Sequence, residues 1–219
     1  MPAPPSTAWL LVGALLLAGC GSASSSSSGT STASTQTTTG PGASTALGFE
    51  GVSLEQGPAL APASTTQTGS IDGIRCGATE QVAYHIHAHL AVFVNGTLRA
   101  LPAGVGIPGS TAELTSKGPV AAGGQCYYWL HTHAPDGVIH VESPTQRIYT
   151  LGEFFDEWHQ PLSANRVAGT SGKVTAILNG KPWGGDPRSI PLSPHAVIQL
   201  SVGAPAVPFQ SVNWAQTQL

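Results

Sequence analysis

The stretch YHIHAHLAVFVNG, residues 84–96, alternates between two kinds of side chain. Every second residue from Ile86 to Val94 is apolar. The positions between them begin with three histidines, His85, His87 and His89. Because successive side chains of a β-strand point to opposite faces of the sheet, this pattern predicts a strand with imidazoles on one face. Asn95-Gly96 is a strong hairpin signal, so a return strand is expected at Leu98–Leu101.

A second hairpin is predicted from Tyr127–His133 and Val138–Glu142, on either side of the turn Ala134–Gly137. Two rules disagree about its register. A Pro-Asp-Gly turn favours a three-residue loop, which would place His140 on the opposite face from His131. A loop of even length separates polar from apolar side chains far better, and burying unpaired histidines would be costly. We therefore expect the even loop, which gives one polar face made of His131, His133, His140 and Glu142.

The two hairpins together predict a metal site. Outward positions on one strand are about 6.5–7 Å apart, so one strand alone seldom closes on an ion and a second strand must contribute. The candidate ligands are His85, His87, His89, His131, His133, His140 and Glu142. Imidazoles with a carboxylate suit Zn, Cu(II) or Ni, whereas soft Cu(I) prefers sulfur ligands and Met1 is the only methionine. The alternative is that the histidines hydrogen-bond across the sheet without an ion.

One helix and further strands complete the predicted fold. Thr150 and Glu153 have the spacing of a capping box, and Pro161 limits the helix that follows. The apolar stripe that would dock on a sheet consists of Leu151, Phe154, Phe155 and Trp158. Strands are expected at Val174–Leu178 and Ala196–Val202. Several strands with one clear helix predict an α+β domain on an antiparallel or mixed sheet of hairpins, and the element order resembles a β-grasp arrangement.

Composition divides the chain into a tether and a domain. No Asp, Glu, Lys or Arg precedes Glu50, and residues 21–70 are dominated by Ser, Thr, Gly, Ala and Pro. Such a segment has too little apolar surface to offset the entropy of ordering it. We therefore expect a disordered tether over residues 20–70 and a single globular domain over residues 71–219.

The amino terminus carries an apolar run, Ala8–Ala18, that ends in Leu17-Ala18-Gly19-Cys20. This resembles the signal peptide and lipobox of bacterial lipoproteins. The resemblance implies that residues 1–19 are removed, that Cys20 carries a diacylglycerol, and that the exported domain is anchored to the bacterial cell membrane or outer membrane. An uncleaved transmembrane helix is the alternative, but about a dozen apolar residues cannot span a bilayer core of ~30 Å.

Two further cysteines, Cys76 and Cys126, form an even pair in an exported chain. An oxidising compartment favours a disulfide between them. The alternative is that both thiols bind the metal, since Cys126 lies close before His131 in the sequence.

Three functions are compatible with these patterns. The first is an exported lipoprotein that binds a transition metal for carriage, storage or sensing. The second is a metal-dependent hydrolase or oxidoreductase with Glu142 as general base, and the third is an envelope module that binds another envelope protein and whose histidines serve the fold. The stretches His85–Gly96 and His131–Glu142 resemble those of exported histidine-rich bacterial and archaeal proteins with no established activity. Nucleic acid is excluded as a partner, because the eight Lys and Arg residues and the net charge of −3 give no basic stripe.

Replacing Cys20 with serine should release the protein from the membrane fraction, because the hydroxyl does not accept the lipid. The measurement is fractionation of cells that express the wild-type and C20S chains, followed by detection of the domain. Retention of the C20S protein in the membrane without lipid would favour a helical anchor instead.

Overall fold

The structure is a computed structural model that describes residues 43–63 and 66–219. The expected signal peptide, residues 1–19, and the lipid-bearing Cys20 lie outside the described residues, as does the expected tether up to residue 42. Among the described residues, no helix has the length and apolar character needed to cross a bilayer.

Short strands dominate the described residues. In chain order they are β1 (Ala43–Leu47), β2 (Ser53–Glu55), β3 (Ser70–Ile71), β4 (Ile74–Arg75), β5 (Tyr84–Val94), β6 (Thr97–Arg99), β7 (Glu113–Thr115), β8 (Gly118–Val120), β9 (Leu130–His131), β10 (Val138–Ser143), β11 (Tyr149–Thr150), β12 (Leu162–Ser163), β13 (Arg166–Val167), β14 (Thr170–Ser171), β15 (Val174–Leu178), β16 (Lys181–Trp183), β17 (Pro191–Leu192) and β18 (Ala196–Val202). The helical elements are α1 (Leu151–Glu157) and two 3-10 turns, Pro187–Ser189 and Trp214–Gln216.

The main sheet has seven strands in the order β16-β15-β18-β5-β10-β9, with β6 paired to one end of β5. Its two central strands, β5 and β18, run parallel, and the other pairs are antiparallel. The α+β class with a mixed sheet is therefore confirmed. Antiparallel hairpins flank the parallel central pair.

Asn95-Gly96 and Asn179-Gly180 both form hairpin turns, since Leu178 pairs with Lys181 around the second. Val94 pairs with Thr97 around Asn95-Gly96, where both residues have positive φ, 49° and 79°. Such a turn matches the twist of the flanking strands, and Asn and Gly adopt positive φ at little cost. The return strand β6 spans Thr97–Arg99, so it begins one residue earlier and ends two residues sooner than Leu98–Leu101.

The register of the second hairpin follows the even loop. His140 of β10 lies opposite His131 of β9, so both side chains share a face. Strand β9 itself is only Leu130–His131, which is shorter than the expected Tyr127–His133. The pairing therefore confirms the polar face predicted from the alternation of residues.

Helix α1 packs on the opposite face of the sheet. Both capping-box hydrogen bonds are present: Glu153 N–H donates to Thr150 Oγ1, and Thr150 N–H donates to Glu153 Oε2. The predicted stripe is fully buried and joins the apolar face of the sheet in one core; its members are Leu151, Phe154, Phe155 and Trp158. Since the helix covers the apolar face, the histidines of β5 lie on the other side.

The expected boundary at residue 71 is wrong, because residues 43–63 pack on the domain. Val52 and Leu54 are buried, Glu55 N–H donates to the Pro135 carbonyl at 2.8 Å, and the Trp158 Nε1–H donates to the Pro62 carbonyl at 2.8 Å. Average composition concealed this, because a few apolar residues at alternate positions are enough to dock a short hairpin. The disordered tether is therefore contradicted over these residues.

Cys76 and Cys126 form the predicted disulfide. The backbone beside it is also paired, since Gly77 and Tyr127 exchange hydrogen bonds of 2.9 and 2.8 Å. Because both sulfurs are bonded to each other, neither is a thiolate ligand, and the alternative of cysteine coordination is excluded.

The docked N-terminal hairpin predicts a loss of stability in Leu54→Ala. Leu54 is 9% exposed and lies against Gly118, so truncation should lower the free energy of unfolding by about 2 kcal/mol. Leu114→Ala is the matched control, because Leu114 is 87% exposed. Urea unfolding measures the stability of both variants. If the two were equally stable, residues 43–63 would not be packed on the domain and would belong to the tether.

Glu55 anchors the same hairpin through a buried carboxyl group. Its Oε2 accepts a hydrogen bond of 2.8 Å from Leu101 N–H, while Oε1 is buried without a hydrogen bond. Burial raises the pKa of Glu55 to about 8; the bond from Leu101 opposes this shift and the nearby charge of Asp136 adds to it. The folded protein therefore keeps a proton that the unfolded chain loses near its ordinary pKa of 4.5.

The contribution of Glu55 to stability should consequently fall as the pH rises from about 4.5 to about 8, since in that window its carboxyl group is protonated in the folded state and ionised in the unfolded state. Glu55→Gln keeps an oxygen for Leu101 N–H and removes the ionisation. Its free energy of unfolding, relative to wild type, should therefore increase with pH across the window. Urea titrations at several pH values test this, and a constant difference would show that Glu55 ionises normally in the fold.

Candidate metal centre

Strand β10 brings the two histidine clusters together. His140 lies opposite His87 of β5 on one side and opposite His131 of β9 on the other. Glu142 lies opposite His85 of β5. Directly paired residues point to the same face of a sheet, so these side chains form a patch across three strands on the face away from α1.

The side of the patch on β5 contains closely spaced ligand atoms. His85 Nε2 lies 3.0 Å from His87 Nε2 and 3.0 Å from Glu142 Oε1. The ring of His87 stands perpendicular to that of His140, with 4.6 Å between the ring centres. Two imidazoles of β5, one imidazole of β10 and the carboxylate of Glu142 thus lie close together.

The side of the patch on β9, like the side on β5, combines imidazoles with the carboxylate of Glu142. His131 Nε2 lies 3.9 Å from Glu142 Oε2, and His140 Nδ1 lies 3.4 Å from Glu142 Oε1. The rings of His131 and His140 are stacked, with centres 5.4 Å apart, and the His133 ring stands perpendicular to His140 at 4.7 Å. Glu142 therefore directs one oxygen toward each side of the patch.

Backbone carbonyls orient two of these imidazoles. His131 Nδ1 lies 2.9 Å from the Tyr128 carbonyl, and His133 Nδ1 lies 2.8 Å from the Ala121 carbonyl. A carbonyl oxygen only accepts, so Nδ1 carries a proton in both rings and Nε2 is the nitrogen left for another partner. This is the arrangement in which histidines that bind metals are commonly held.

Buried polar atoms without hydrogen bonds are concentrated in the patch. They include His131 Nε2, Glu142 Oε2 and Glu50 Oε2. His140 instead lies between two carboxylates, with its Nε2 2.7 Å from Glu50 Oε1 and its Nδ1 3.4 Å from Glu142 Oε1. Because buried polar groups nearly always form hydrogen bonds, several such atoms facing one another indicate a site for a ligand.

Two imidazoles of the patch are held neutral. Burial lowers the pKa of His87 and of His131 to about 3, and the neighbouring His140 lowers both further. A histidine must be deprotonated to bind a metal ion. These two rings therefore offer lone pairs at neutral pH.

The centre of the patch favours positive charge. Burial lowers the pKa of His140, but the carboxylates of Glu142 and Glu50 outweigh burial and raise it to about 9. Burial likewise raises the pKa of Glu142, and the surrounding imidazoles, His140 first, lower it to about 2. Two buried carboxylates thus stabilise a cation between them.

Sequence reasoning missed two acidic residues of the patch. Glu50 belongs to the turn between β1 and β2, which the expected tether contained, and Glu80 Oε1 lies 3.5 Å from His133 Nε2. Glu50 is the first of the Asp, Glu, Lys and Arg residues in the sequence and lies between Gly48 and Gly51, a pattern typical of a tight turn. This was the one signal that the segment has a structural role.

His89 was predicted as a ligand, but the structure places it elsewhere. It lies opposite Val138, with its Nε2 packed against Gly137, and it borders a cavity of about 360 Å³ together with Glu55 and Val52. Burial lowers its pKa to about 4. The alternation of β5 puts His89 on the correct face, but no histidine of β10 lies beside it.

The other six predicted residues form two overlapping groups whose ligand atoms lie within 4.8 Å of one another. One group is His131, His133, His140 and Glu142, and the other is His85, His87 and His140. Imidazole and carboxylate donors are thus positioned to hold a metal ion. No protein-family model matches the sequence, and no curated protein or solved structure matches it either.

Proposed function

We propose that this protein binds a divalent transition metal, Zn, Cu(II) or Ni, for carriage, storage or sensing. The observation that carries the proposal is the set of buried nitrogen and oxygen atoms that face one another without hydrogen bonds. Histidines that served only the fold would satisfy these atoms across the sheet. The carbonyls that fix His131 and His133 instead leave Nε2 for another partner.

The donor set supports these metals. The two groups contain only imidazole nitrogens and a carboxylate, and Cys76 and Cys126 are bonded to each other. Nitrogen and oxygen donors of this kind suit Zn, Cu(II) and Ni, whereas Cu(I) prefers thiolates and thioethers.

Binding is favoured over catalysis by the number and the charge of the donors. A catalytic ion keeps one coordination position for water or substrate, whereas here the protein supplies enough ligands to fill a tetrahedral ion. A general base works best with a pKa near the working pH, but the pKa of Glu142 is lowered to about 2. Glu142 is therefore better suited to hold a cation than to take a proton from water.

We also propose that the protein is exported and attached to the membrane by a lipid on Cys20. The lipobox-like Leu17-Ala18-Gly19-Cys20 supports this, and the Cys76–Cys126 disulfide is of the kind that persists in oxidising compartments. A domain anchored in this way exchanges its metal with other components of the envelope, so its expected partner is an envelope protein.

Metal retention tests the proposal directly. The purified protein, loaded separately with Zn, Cu(II) or Ni and dialysed exhaustively, should retain at least one ion per chain of one of these metals. His131→Ala/His133→Ala should lose the ion of that group while the domain stays folded. At metal concentrations about 100 times Kd, binding should also raise the free energy of unfolding by about 2.7 kcal/mol.

His159→Asn is the matched control. His159 is exposed, has a positive φ that asparagine tolerates, and lies outside both ligand groups. Elemental analysis should give the wild-type metal content for this variant. A wild-type protein that retains none of the three metals would make the histidines structural.

A further inference from the structure

The donors of the patch outnumber the ligands that one ion takes. Six residues belong to the two groups, and the carboxylates of Glu50 and Glu80 contact His140 and His133. A tetrahedral Zn ion uses four ligands. A single ion would therefore leave several buried donors without a partner.

The donors are also too spread out for one ion. With metal–nitrogen bonds of about 2.1 Å, two ligands of the same ion are at most about 4.2 Å apart. The ligand atoms instead fall into two groups that have His140 in common, and Glu142 of one group also lies 3.0 Å from His85 of the other. One group lies between β5 and β10 and the other between β10 and β9, because His140 pairs with His87 on one side and with His131 on the other.

The spacing of the strands sets the distance between two such sites. Neighbouring strands are about 4.8 Å apart, so ions bound on either side of β10 would be separated by roughly that distance. Two-metal sites in proteins have ions about 3.5–4 Å apart. If each ion moves slightly toward a ligand that both ions share, their separation falls from the strand spacing into this range.

Glu142 is placed to be that shared ligand. Its Oε1 lies 3.0 Å from His85 Nε2, and its Oε2 lies 3.9 Å from His131 Nε2. Oε2 is buried and forms no hydrogen bond. A carboxylate in this position can give one oxygen to an ion on each side.

The charge of the patch is suited to more than one ion. Glu142 and Glu50 are 3% and 4% exposed, and Glu80 contacts His133 from the rim. Buried carboxylates are costly unless cations compensate them. Three carboxylates exceed the charge of one divalent ion and offset most of the charge of two.

We propose that the patch binds two divalent transition-metal ions, one at His85 and His87 and one at His131 and His133, bridged by the carboxylate of Glu142. This inference rests on the proposed metal-binding function and specifies its stoichiometry and geometry. His140 lies between the two ions and completes the coordination of one of them.

Copper provides the test, because Cu(II) is paramagnetic and two nearby ions couple magnetically. The purified full chain is loaded with Cu(II) sulfate, dialysed against a weak chelator that removes copper from isolated surface histidines, and analysed for copper and by electron paramagnetic resonance. The wild type should retain two ions per chain, with a half-field transition and less integrated signal than its copper content. His159→Asn should behave in the same way.

Each half of the site is then removed in turn. His85→Ala/His87→Ala and His131→Ala/His133→Ala should each lower the copper content from two ions to one and restore the full signal of an isolated ion. Thermal unfolding checks that both variants fold. If either variant fails to fold, the magnetically coupled signal of the wild type tests the two-ion site by itself, because that measurement needs no substitution.

The outcomes separate this inference from the function on which it rests. One retained ion that either double variant abolishes would overturn the two-ion site and leave metal binding intact. Two retained ions without magnetic coupling would also overturn the bridge. A wild-type protein that retains no copper, zinc or nickel would contradict the proposed function itself.

Discussion

His140 meets His87 and His131 in only one register of β10, because side chains alternate between faces at every residue. A slip of one residue would direct Val141 to the patch and send the imidazole into the core beneath α1. The even turn fixes β10 against β9, and Gly137, whose carbonyl accepts a hydrogen bond of 2.8 Å from β5, fixes the other side. The burial of the apolar face and the assembly of the polar face are thus consequences of the same pairing.

The N-terminal hairpin completes the patch from above the sheet. Its turn places Phe49 edge-on to His133 and Glu50 beside His140. Apolar burial of Val52 and Leu54 holds the hairpin down, so the carboxylate of Glu50 arrives already positioned. Packing that is unrelated to the patch therefore contributes one of its charges.

Local patterns were enough to predict much of this arrangement from the sequence. Strand alternation, an Asn-Gly turn and a capping box depend on neighbouring residues, so both faces of β5, the hairpin register and the start of α1 were predicted correctly. Contacts between distant segments were not predictable in this way. His89 follows the same alternation as His87, but its neighbour on β10 is Val138. Glu50 reaches His140 from a segment whose average composition indicated disorder.

The charges of the patch explain why some of its nitrogen and oxygen atoms remain buried without hydrogen bonds. Glu50 and Glu142 are almost fully buried, and the cost of removing two carboxylates from water is repaid only if a cation lies between them. Among the residues that the structure describes, the cation at this position in the metal-free protein is the protonated ring of His140, whose pKa the two carboxylates raise. That proton compensates the carboxylates but leaves Nε2 of His131 buried without a hydrogen bond. A metal ion satisfies carboxylates and neutral imidazoles together, because it accepts lone pairs from several directions at once.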